Sequence, residues 1–116
     1  MKLSGEEAVR LLMKWHSDDI PVSLLMRTPG LFASLAGFIA DIAESSLTVS
    51  HLDAQAQVVG ESTIDLAMVT VWDYREAREA SEHAQAALGG HIGGTLQFHI
   101  PGVEFAMYEI LEHPET

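Results

Sequence analysis

The chain predicts an α+β fold in which a mainly antiparallel, curled sheet packs against an N-terminal amphipathic helix. Three observations carry this prediction. A helical apolar period opens the sequence, alternating apolar runs broken by Pro-Gly turns follow it, and an alanine-lined helical stretch precedes the last two runs. The order is α-β-β-β-β-α-β-β within one domain, residues 1–116, a length that encloses one hydrophobic core.

The first helix, over residues 5–16, starts at a capping box formed by Ser4 and Glu7. Ala8, Leu11, Leu12 and Trp15 recur at helical spacing on one face, with Glu6, Arg10 and Lys14 opposite. Pro21 disfavours helical geometry at the residue before it, and the period then changes to two. Val22, Leu24 and Met26 form a short strand, Thr28-Pro29-Gly30 a turn, and residues 31–43 a long strand in which Gly37 marks a bulge or bend. Leu47 and Val49 give another short strand. Residues 63–73, rich in Ile, Val, Thr and Trp, read as a strand apolar on both faces and therefore central.

Residues 75–88 switch to helix formers, with Ala77, Ala80, Ala84 and Ala87 along one side and Gly89 placed to end the helix. The last unit is a hairpin of strands 95–100 and 103–110 joined at Pro101-Gly102. A two-residue loop pairs Ile100 with Val103, Phe98 with Phe105 and Leu96 with Met107, gathering the large apolar groups on one face. It also sets His99 opposite Glu104 on the other face. A leading helix followed by a hairpin meander resembles the Sm-like small barrels. Their RNA-binding loop carries an Asp and an Asn after the second strand; residues 40–46 hold Asp41 but no Asn, so RNA binding is not implied.

Charge narrows the function classes. The net charge of −11 falls wholly on residues 31–116, where thirteen acids face Arg75 and Arg78 alone. Such a surface repels a nucleic-acid backbone or an anionic membrane, so neither is an expected partner. Glu6 and Glu7 interrupt the apolar run that a secretory peptide needs. The most apolar window, residues 31–40, is half the length of a membrane-spanning helix. A cytoplasmic location is the expectation. With no cysteine, disulfides, thiolate metal sites and a cysteine nucleophile are excluded.

Six histidines supply the candidates for chemistry. His51 and Asp53 fall on one side of an extended segment, and His99 and Glu104 pair across the hairpin. His91 lies in the glycine run 89–94, whose backbone freedom could bring its imidazole near either pair. These five are the candidate metal ligands or acid/base groups. The glycine run matches neither a dinucleotide fingerprint nor a P-loop, and no G-x-S-x-G nucleophile elbow is present. No cofactor is indicated. The apolar faces outnumber the surfaces available to cover them, which points to a binding or interaction domain that associates as a homo-oligomer. A small metal-dependent protein or enzyme using the histidines is the first alternative, and a regulator enclosing a small apolar ligand the second.

Overall fold

Helix α1 (Gly5–Ser17) starts at the expected capping box: the Ser4 hydroxyl accepts the Glu7 N–H at 3.1 Å, and the Glu7 carboxylate accepts the Ser4 N–H at 2.9 Å. Two of the helix's free N–H groups are satisfied this way, and Glu6 and Glu7 complement the positive end of its dipole. The computed structural model describes residues 1–76 and 92–110. The expected helix over 75–88 lies outside the described residues, apart from Arg75 and Glu76. No helix among the described residues is long and apolar enough to cross a membrane.

Among the described residues, eight antiparallel strands form one open sheet. They are β1 (Lys2–Leu3), β2 (Pro21–Thr28), β3 (Leu31–Ile42), β4 (Ser46–Leu52), β5 (Val58–Asp65), β6 (Trp72–Arg75), β7 (Ile92–Ile100) and β8 (Val103–Ile110). Their spatial order is β1-β6-β7-β8-β2-β3-β4-β5, so β1 and β5 are the edges among the described strands. The terminal ammonium of Met1 holds the β1 edge, with 3.1 Å to Asp73 Oδ1 and 2.9 Å to the Tyr74 carbonyl.

One face of the sheet carries the core. Val22, Leu24, Ile39, Leu47, Val49, Leu96, Phe98, Phe105 and Met107 form a single buried cluster, which Ala8, Leu12 and Trp15 of α1 share. Each fully buried leucine in it contributes about 1.5–3 kcal/mol of transfer free energy. The β7–β8 hairpin has the register read from its turn: Ile100 pairs with Val103, Phe98 with Phe105 and Leu96 with Met107. Gly102, at φ +85°, takes the left-handed conformation the turn requires. The rings of Phe98 and Phe105 stack at 5.0 Å, and Trp72 approaches Phe98 at 4.8 Å.

Two expectations are corrected. Residues 63–73 do not form one central strand. Asp65 Oδ1 accepts the Ala67 N–H at 2.9 Å, which starts a 3-10 turn over Leu66–Met68 and buries Leu66 in the core. The chain therefore breaks into β5, an edge strand, and β6, which lies between β1 and β7. Gly37 is not the bulge in β3, because the register shift falls between Ile39 and Asp41. A Cβ at Gly37 would come within 1.7 Å of the Ser50 carbonyl oxygen, so the residue's role is close approach of two backbones.

Candidate functional site

Alternation along β4 turns Leu47, Val49 and His51 to the core face. His51 is 7% exposed, and both of its cross-strand neighbours, Gly37 and Gly60, lack side chains. Its Nε2 lies 2.6 Å from the Ser62 hydroxyl, while its Nδ1 is buried with no hydrogen-bond partner among the described residues. Burial pushes the imidazole below its ordinary pKa of 6.5, which favours the neutral ring. A neutral imidazole at this distance from a hydroxyl has the geometry of a general base beside its proton donor. Among the described residues, no carboxylate meets Nδ1 to orient the base as in a triad.

Asp53 does not fill that role. It follows β4 in the connecting loop, where its Oδ1 accepts the N–H groups of Gln55 and Gln57 at 2.9 Å each. The carboxylate shapes the turn into β5.

His99 and Glu104 are cross-strand partners on the face opposite the core. The row continues across the sheet, because Arg27 of β2 pairs with Glu104 and Phe32 of β3 pairs with Arg27. Arg27 Nη2 and Nε both reach Glu104 Oε2, at 2.6 and 3.2 Å. Beside the row, Thr28, Pro29, Ile100, Gly102 and Val103 line an open depression between the β2–β3 and β7–β8 turns. The Arg27–Glu104 pair is exposed, which limits it to about 0–1 kcal/mol.

The structure thus brings His99 and Glu104 together and places His51 and Asp53 in separate settings. His91 lies outside the described residues. Among the described residues, no three His, Asp or Glu side chains converge to hold a metal. Ser62, Arg27 and Phe32 were not singled out from the sequence. Arg27 carried a usable signal, since it precedes the Thr28-Pro29-Gly30 turn as His99 precedes the turn of the β7–β8 hairpin. Ser62 carried none, because its place beside His51 follows from the β4–β5 register.

No protein-family model, curated protein or solved structure matches this chain.

Proposed function

We propose that this protein is a non-enzymatic interaction domain that associates with copies of itself in the cytoplasm. In this reading the sheet curls over α1 as one domain and leaves apolar side chains outside the shared core. The supporting observation is their exposure: Leu31 and Phe32 are each 63% exposed, and Val58 and Val59 are 63% and 67% exposed, in a sheet that does not close. Apolar groups clustered at free sheet edges are where strands recruit further strands. The acidity of the chain keeps nucleic acid and anionic membranes from competing for these edges.

Light scattering on the purified chain across a micromolar concentration series tests the proposal. The expected mass is twice 12.6 kDa or a higher multiple, and a constant mass of 12.6 kDa contradicts it.

The His51–Ser62 contact favours a second reading, a hydrolase acting on small activated esters. Loss of ester turnover in Ser62→Ala would support it, and an absence of turnover in the wild-type protein would end it.

A further inference from the structure

The two strand segments that carry exposed apolar groups are not equivalent. β5 is the outer edge of the sheet among the described strands, and a bulge and a pair of carboxylates guard it. Its register against β4 shifts between His51 and Leu52, leaving Val59 as an extra, unpaired residue. Such a bulge twists an edge away from further pairing. Glu61 and Asp65 then place two carboxylates along the same edge, and a copy of β5 laid against it would bring more negative charge.

β3 has a second free edge inside the sheet. β2 pairs with residues 31–38 of β3, whereas β4 pairs only from Gly37 to Ile42. Among the described residues, the segment Leu31-Phe32-Ala33-Ser34-Leu35-Ala36 therefore has a strand on one side and none on the other. It holds no charge, proline, glycine or bulge. It is also the start of the most apolar window in the chain. Leu31, Phe32, Ser34 and Ala36 are exposed.

We infer that two copies of this chain join through residues 31–36 of β3, paired antiparallel about a two-fold axis at Ala33. This inference rests on the self-association proposed above and assigns its surface. A two-fold axis normal to the sheet keeps each face on its own side, so it passes through a residue rather than between two. With the axis at Ala33, Leu31 lies opposite the partner's Leu35, and Phe32 lies opposite the partner's Ser34. Both leucines of each copy then have an apolar partner. With the axis at Ser34, Leu31 lies opposite the partner's Gly37 and loses that contact.

Backbone geometry agrees. The two-residue loop at Pro29-Gly30 makes Thr28 and Leu31 a hydrogen-bonded pair, so by alternation the N–H and C=O groups of Phe32 and Ser34 point away from β2. Those groups form the new ladder. Ala33 then sits opposite its copy in the closely spaced, non-hydrogen-bonded position, with Cα atoms about 4.5 Å apart.

The absence of cysteine makes the test direct. A disulfide needs Cα atoms about 4.4–6.8 Å apart. Ala33→Cys should therefore oxidise to a covalent dimer on the order of ten-fold faster than Val59→Cys under the same mild oxidant. Ser34→Lys, at an exposed position that places an ammonium against the partner's Phe32, should lower the association of the folded chain without changing its circular dichroism. If the wild-type chain associates but Ala33→Cys reacts no faster than Val59→Cys and Ser34→Lys associates normally, the β3 edge is the wrong surface while self-association stands. If the wild-type chain is a monomer at every concentration, both fall.

Discussion

His51 and Ser62 are joined by a 2.6 Å hydrogen bond between adjacent strands at the end of the core, with the second imidazole nitrogen buried and unmatched among the described residues. Burial holds the ring below its ordinary pKa of 6.5, so an unfolded chain takes up the proton first as the pH falls. The stability tied to neutral His51 is therefore complete above about pH 6.5 and lost as the pH drops through the lowered folded value. Urea midpoints measured between pH 7.5 and 5 should fall, and His51→Gln should flatten that slope. Glu7 and Asp73 are also held below their ordinary values, Glu7 by the Ser4 N–H and Asp73 by the Met1 ammonium. Their contribution is present above about pH 4.5 and lost below it, so the acid limb should persist in His51→Gln.

Phe98→Ala and Phe105→Ala should each destabilise the fold by about 3–5 kcal/mol, because the stacked rings are 3% and 6% exposed in the core. His99→Ala, on the exposed face of the same hairpin, should cost less than about 1 kcal/mol. Equal effects in chemical denaturation would show that the hairpin faces are misassigned.

This hairpin was legible in the sequence because Pro101-Gly102 defines its loop, and one loop length orders every pair on both strands. The capping box of α1 was legible for the same reason: Ser4 and Glu7 act on neighbouring backbone. Residues 63–73 misled because β-propensity does not register a side chain that bonds its own backbone, as Asp65 does to Ala67. The neighbours of His51 were hidden for a third reason. Gly60 and Ser62 meet it through the β4–β5 register, which a five-residue loop and a bulge set together. Asp53, two residues away in sequence, turned out to serve that loop.

Gly37→Ala should destabilise by about 1–3 kcal/mol or more, since the added methyl meets the Ser50 carbonyl in a neighbouring strand rather than a movable side chain. Gly60→Ala has no such neighbour within 4 Å and should be near neutral. Thermal melts of the two variants compare a glycine required by backbone approach with one that is not.

Fluorescence anisotropy with labelled DNA and RNA oligonucleotides should show no binding at physiological ionic strength, given thirteen acids against two bases beyond residue 30. Salt-sensitive retention of either would overturn the electrostatic argument.

The central claim is self-association, and subunit exchange measures it most directly. Unlabelled and uniformly 15N-labelled chains are mixed at micromolar concentration and examined by native mass spectrometry. The predicted spectrum contains assemblies at twice the 12.6 kDa chain mass, with a mixed species midway between the two pure ones. Single-chain masses alone, at every concentration, would contradict it.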